Sequence, residues 1–246
     1  MNAAPLDAAP MKIELVWREE GGVSLPSTIW RAGPGMRMVS SAMVGGGIGP
    51  AGWVLNAQVP GTYERMDPAA HLLELAERYG LTGRGVGMLT AAAVDRTVQR
   101  SDGDVSVAAT VGLRVPTWAA APAGADDPEL APATFTPGTV NVVVAVPVPL
   151  TDAALVNAVM TATEAKTQAL LEAGYPCTGT ASDAICVAAP DVADATGGAS
   201  ATGEADGAGE AEPFAGPRSV WGARIARAVH AAVHAGALDY TGQLTR

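Results

Sequence analysis

The chain has 246 residues, 48% of them hydrophobic and only 4% aromatic, with a formal net charge of −10. That length suits one good-sized domain or two small ones, and the apolar content is enough for a sizeable core. The acidic balance and the lack of a basic patch argue against nucleic acid and anionic membrane surfaces as partners.

Residues 1–10 read as a disordered tail ahead of a single domain over 11–246. Ile13 to Arg18 alternates apolar and polar and predicts a strand, Ser27 to Arg31 a second, Met36 to Val44 a third and Trp53 to Val59 a fourth. Short strands with turn signals between them suggest an antiparallel meander. Asp67-Pro68 then starts a helix, with Asp67 as the cap, Pro68 suited to the first turn, and Gly80 as the stop. Gly85 to Ala92 reads as a buried strand or strand-turn, Val105 to Leu113 as another strand, and residues 119–134 as an Ala/Pro/Asp-rich loop. A β-branched strand, Val140 to Val148, leads into a helix from Thr151 to about Ala173, and Ala184 to Ala188 follows as a short strand. At about 100° per residue, Leu155, Val156, Val159, Met160 and Leu170 share one side of that helix, with Lys166 and Thr163 among them. The stretch 191–213 carries six acids and no basic residue, and its composition predicts a disordered insertion. A last helix runs from about Pro217 to Ala235. The elements do not alternate β-α-β-α, so the expected class is α+β, with helices covering a largely antiparallel or mixed sheet.

Chemistry-bearing residues are few. Gly45-Gly46-Gly47-Ile48-Gly49 lets a backbone approach an anion, but it is neither a Walker A nor a dinucleotide fingerprint. A bend or hairpin is the favoured reading, and close approach to a bulky ligand the minority one. His230 and His234 are an i, i+4 pair without a third ligand and share a face with Arg224 and Arg227, so no metal site is expected. His71 reads as a surface or capping residue rather than a general base. Cys177 and Cys186 are too few for a disulfide framework, and Cys177 lacks the positive neighbour a reactive thiolate needs. Lys166 is the sharper case: a lysine on an apolar helix side either snorkels to solvent or is buried, paired and available to hold charge. Asn141 either orients an amide carbonyl or serves ordinary turn chemistry. No window approaches the roughly 18 uninterrupted apolar residues of a membrane span, and the N-terminus lacks the pattern of a signal peptide. A cytoplasmic protein is the default expectation.

Several segments together resemble one family. They are Ser40-Ser-Ala with Gly45-Gly-Gly, Asn56, Asp67-Pro68, Val86-Gly-Met-Leu-Thr-Ala91, Ala109-Thr-Val-Gly-Leu113 and Pro137-Gly-Thr-Val-Asn141. Leu150 to Ala158 running into Thr161-Ala-Thr-Glu-Ala-Lys166, Cys177-Thr-Gly-Thr-Ala-Ser-Asp183 and Ala215-Gly-Pro217 leading into Ile225-Ala-Arg-Ala-Val229 complete the set. In this order, over about residues 36–236, they resemble the CbiZ family, the adenosylcobinamide amidohydrolases. The resemblance implies hydrolysis of the amide joining the aminopropanol arm to the corrin ring of adenosylcobinamide, in corrinoid salvage. The partner would be a small-molecule corrinoid, self-association is left open, and no protein cofactor is required because cobalt is carried by the substrate. A corrinoid carrier without hydrolysis is the alternative. Chemistry, rather than the resemblance, nominates Lys166, Glu164, Asp183 and Asn141 as candidate catalytic groups. Gly45, Gly46, Gly47, Asn56, Thr90, Thr178 and Thr180 are the candidate substrate contacts.

Overall fold

A computed structural model describes residues 11–124, 138–191 and 210–244. Among the described residues, ten strands form two sheets. The first has the order β1-β2-β5-β6, from β1 (Ile13–Glu20), β2 (Val23–Arg31), β5 (Trp53–Gln58) and β6 (Val86–Thr90). The second has the order β4-β3-β10-β9-β8-β7, from β3 (Met36–Ser40), β4 (Gly47–Pro50), β7 (Val98–Asp102), β8 (Val105–Val111), β9 (Val140–Ala145) and β10 (Ala184–Pro190). Among these ten strands, only β5–β6 and β9–β10 pair in parallel. The class is therefore α+β with mixed, mostly antiparallel sheets, as the order of elements predicts.

Helix α1 (Pro68–Arg78) covers the first sheet, and α2 (Asp152–Glu172) and α3 (Val220–Leu244) cover the second. Strand alternation sorts the side chains into three cores. Leu55, Ile29 and Trp53 face α1 with Leu72 and Leu75. Trp30, Val54 and Met88 of the first sheet meet Met38, Val143 and Cys186 of the second. Val107, Val142 and Val187 face the paired helices with Leu155, Leu170 and Ile225. The result is four layers, helix, sheet, sheet and helix pair. Each fully buried Leu or Ile contributes about 1.5–3 kcal/mol.

Several local expectations change. The first strands are no meander: the chain leaves the first sheet after β2, makes the β3–β4 hairpin in the second, and returns for β5. β7 has a polar, exposed sequence (VQRSD) because it is a sheet edge, where charge discourages further pairing. The buried side of α2 is Ala154, Leu155, Ala158, Thr161, Ala162, Ala165, Lys166, Ala169 and Leu170, while Val156 and Met160 are about half exposed. Alanine decides this face, because small side chains let the helix lie close to both sheet and α3. Thr163 is exposed and bonds back to the Val159 carbonyl. Asp67 caps nothing with its side chain, because Arg65 takes its carboxylate in a two-pronged pair, which a neutral backbone N–H does not outcompete.

α3 runs well beyond Ala235. Gly236 is no stop: a Cβ there would lie 2.6 Å from Val111 Cγ2, so glycine permits close helix–sheet packing. The N-terminal tail and most of the acidic stretch 191–213 lie outside the described residues. At the ends of that stretch, the Asp191 N–H donates to the Gly35 carbonyl, and Glu212 exchanges backbone bonds with Pro149 and Thr151.

Candidate functional site

Two buried polar clusters flank the start of β9. Val140, Val142 and Val144 point toward the helices, so Asn141 must point between the sheets. There it stands opposite Thr110 in the β8–β9 register and faces Asn56 of the other sheet. Asn141 Nδ2 donates to Asn56 Oδ1 (2.8 Å) and toward the Leu89 carbonyl (3.3 Å), and Asn56 Nδ2 donates to Thr110 Oγ1 (2.9 Å). Thr97 Oγ1 lies 2.7 Å from Thr110 Oγ1 and donates to the Val94 carbonyl. These acceptors fix both amide orientations and leave Asn141 Oδ1 buried without a donor. The adjoining cavity of about 10 Å³ is at the lower limit for one water.

The second cluster lies on the helix side. Lys166 is 5% exposed and ion-paired with Asp183 Oδ2, so it is buried and partnered rather than snorkelling. Asp183 Oδ1 accepts from the Val140 N–H (2.8 Å) and from Thr180 Oγ1 (2.6 Å). Ser182 and Thr139 share a 3.0 Å hydroxyl contact. The segments 138–141 and 178–183 therefore converge. Gly179 has φ +149°, and a Cβ on it would overlap both Asp183 Oδ2 and Lys166 Nζ, so the loop backbone closes directly over the pair. Thr178 Oγ1 accepts from the Ala119 N–H and donates to the Thr117 carbonyl, pinning the chain that follows β8.

Other candidates are elsewhere. Glu164 is exposed and lines a separate groove between α2 and α3 with Gln168, Arg227 and His230. Gly45 and Gly46 are packed against the Gly85 and Ala42 carbonyls, at the turn of the β3–β4 hairpin, while Gly47 is open. Thr90 is buried and its Oγ1 accepts the Ala92 N–H. Both cysteines are free and buried; burial raises the Cys177 thiol and pushes Cys186 up to about 12, so neither is a ready nucleophile. His230 contacts Glu172 (2.7 Å) and stacks on His234, and no group of three metal-ligating side chains occurs among the described residues. His71 is not at the surface: it is 2% exposed, stacked on Tyr63, with Nε2 3.3 Å from Glu20 Oε1. Glu20 also accepts from Arg18, a second buried charge. Sequence reasoning missed this cluster because its members come from β1, α1 and the loop before α1, which alternation and helix phase cannot bring together.

A cleft of about 220 Å³ passes over the same end of the second sheet. Ala91, Ala92, Val111, Gly112 and Gly138 form its floor, which joins described residues of three segments singled out in the sequence: Ala91, Val111 with Gly112, and Gly138. Gly112 and Gly138 let these backbones cross: a Cβ on Gly138 would sit 2.7 Å from the Gly112 carbonyl, and the Gly112 N–H donates to the Thr139 carbonyl. Gln58 and Arg96 enter from one side, and Asp239, Tyr240 and Gln243 of α3 from the other. Arg96 forms a two-pronged ion pair with Asp239. Burial and Tyr175 raise the Tyr240 phenol, with Arg114 opposing, so it stays protonated. Gln58, Thr110, Thr139 and Ser182 were not nominated from sequence. Thr110 had one signal: it lies within the segment 109–113 that resembles the family.

Comparison with known proteins gives one consistent match. A sequence model of the CbiZ family, described as adenosylcobinamide amidohydrolase, matches residues 12–245. An adenosylcobinamide amidohydrolase of Methanosarcina mazei is 30% identical over 203 residues, 82% of this chain and 90% of that protein. One of Halobacterium salinarum is 47% identical over 103 residues, 41% of this chain and 43% of that protein. Among solved structures, a protein of Pyrococcus horikoshii OT3 aligns with a TM-score of 0.46 at 14% identity, covering 95% of this chain and 85% of that one. An L-aminopeptidase D-Ala-esterase/amidase of Ochrobactrum anthropi aligns with a TM-score of 0.40 at 13% identity, covering 94% and 84%.

Proposed function

The chain belongs to the CbiZ adenosylcobinamide amidohydrolase family, and we propose that it hydrolyses the amide joining the aminopropanol arm to the corrin ring of adenosylcobinamide. Water adds to the amide carbonyl, the C–N bond breaks, and the products are adenosylcobyric acid and (R)-1-aminopropan-2-ol. The observation that carries this reading is the meeting of three family-like segments on the floor of one cleft. Such a reaction needs positive charge or N–H donors at the carbonyl oxygen, and a proton for the leaving amine. Arg96, fixed by Asp239, supplies a guanidinium in the cleft. Lys166, Asp183 and Asn141 act as positioning residues in this reading. Asp183 holds the Val140 N–H and Asn141 ties β9 to Asn56, so together they fix the 138–141 rim from both faces of the sheet. Glu164 has no part in it, because it faces another groove. Cobalt enters and leaves with the corrinoid.

The test is incubation of the purified full chain with adenosylcobinamide, followed by chromatography for adenosylcobyric acid. Stoichiometric release of acid and amine is expected. Tight corrinoid binding without any product would replace this reading with that of a carrier.

A further inference from the structure

The cleft over β8 and β9 is small. At about 220 Å³ it falls below the roughly 300–1,000 Å³ of pockets that enclose drug-sized ligands. A side arm fits such a volume, and a macrocycle does not. Its polar groups are also specific in kind. Gln58, at the end of β5, accepts the Val94 N–H on Oε1 at 3.0 Å, which fixes its amide orientation. Its Nε2 then has no protein partner among the described residues and remains a donor. Gln243, in the last turn of α3, donates from Nε2 to Asp239 Oδ2 at 3.0 Å, which fixes it the other way round. Its Oε1 has no protein partner among the described residues and remains an acceptor. One carboxamide thus offers N–H from the sheet layer, and the other offers C=O from the helix layer. A secondary amide needs that pairing, since its carbonyl accepts and its N–H donates.

We propose that this cleft admits a single N-alkyl amide arm of the ligand while the rest of the ligand stays outside. Gln58 receives the amide carbonyl and Gln243 the amide N–H. The assignment deepens the proposed hydrolysis and rests on that reading for the identity of the arm, but the recognition chemistry can be tested without turnover. The two glutamines are then specificity-determining residues: they select an amide over an ester, which has no N–H for Gln243 Oε1. The Arg96–Asp239 pair sets the position of Gln243 and so of the acceptor.

The probe is N-(2-hydroxypropyl)propanamide, titrated into the full chain while the backbone amide signals and the side-chain N–H signals of glutamine and tryptophan are followed by NMR. Two substitutions separate recognition from folding. Gln58→Glu keeps an acceptor for the Val94 N–H and removes the donor. Gln243→Lys keeps a donor for Asp239 and removes the acceptor, at an exposed position where folding is little affected. The expected result is saturable shifts of both glutamines in the wild type and at least tenfold weaker binding in each variant, with the corresponding ester binding at least tenfold more weakly than the amide. Saturable binding with no hydrolysis of adenosylcobinamide would leave the cleft assignment standing and remove only the proposed reaction. Absent binding, binding unchanged in both variants, or shifts confined to the larger groove of about 590 Å³ beside Trp53 and Arg84 would overturn the assignment.

Discussion

Lys166 carries the heaviest electrostatic demand on α2. Its ammonium is taken out of water and meets one carboxylate, and Asp183 in turn accepts two further hydrogen bonds. Removing one partner of such a buried pair costs about 3–5 kcal/mol, because the remaining charge is left uncompensated. Lys166→Met should therefore lower the urea-unfolding free energy by that order and abolish turnover through loss of the 138–141 rim. If the variant keeps wild-type activity, the pair does not position the cleft. The lysine was visible in sequence as a charge at the wrong helix phase, but its partner was not. Asp183 is 17 residues away, across a turn whose course depends on Gly179. Asn141 was likewise singled out, as a strand-start residue suited either to an amide carbonyl or to turn chemistry, while its orphaned Oδ1 follows only from the facing of two sheets. Gln58 and Gln243 gave no signal, since an isolated glutamine near an element end is ordinary.

At the level of elements, α3 shows how packing overrides local stop signals. Gly236 and Gly242 both look like helix ends, yet the helix continues to Leu244 and brings Asp239, Tyr240 and Gln243 to the cleft. Deleting residues 239–246 tests what this extension does. It removes the Arg96–Asp239 pair, which is exposed and worth only about 0–1 kcal/mol, but leaves the buried stripe from Ile225 to Ala237 intact. A cooperative melt at a slightly lower temperature is expected, with kcat/KM for adenosylcobinamide reduced at least tenfold. Full activity in the truncated chain would place the reaction away from this wall. On α2, ranking residues by hydrophobicity was right at Leu155, Leu170 and Lys166 and wrong at Val156, Met160 and Thr163, because alanine contributes little to such a ranking yet fills most of the buried side. Polar β7 was lost for the converse reason, as an edge strand has no apolar face to announce it.

For the whole molecule, the class was legible from element order, and the four layers were not. Which strands share a sheet depends on contacts distant in sequence, such as β3 with β10 and β2 with β5, and periodicity says nothing about those. The same non-local assembly buries His71 between α1 and the first sheet, and this gives the fold a pH dependence with a definite sign. Burial lowers the imidazole most; Glu20 opposes, Arg65 and Arg18 add to the lowering, and Glu74 opposes. The folded state thus prefers the neutral ring, while the unfolded chain takes up its proton as pH falls through about 6.5. Between that value and the lower folded one, the unfolded state holds more protons, so stability falls on acidification and this contribution is flat above it. The carboxylates of Asp67 and Glu74, held low by Arg65, are exposed and add only a small loss at more acidic pH. Urea midpoints should therefore drop from pH 7.5 to 5.5. In His71→Gln, which can still contact Tyr63 and Glu20 but cannot titrate, the midpoint should change less over the same window, even if it starts lower. An equal drop in the variant would assign the pH dependence to other groups and return His71 to a purely packing role.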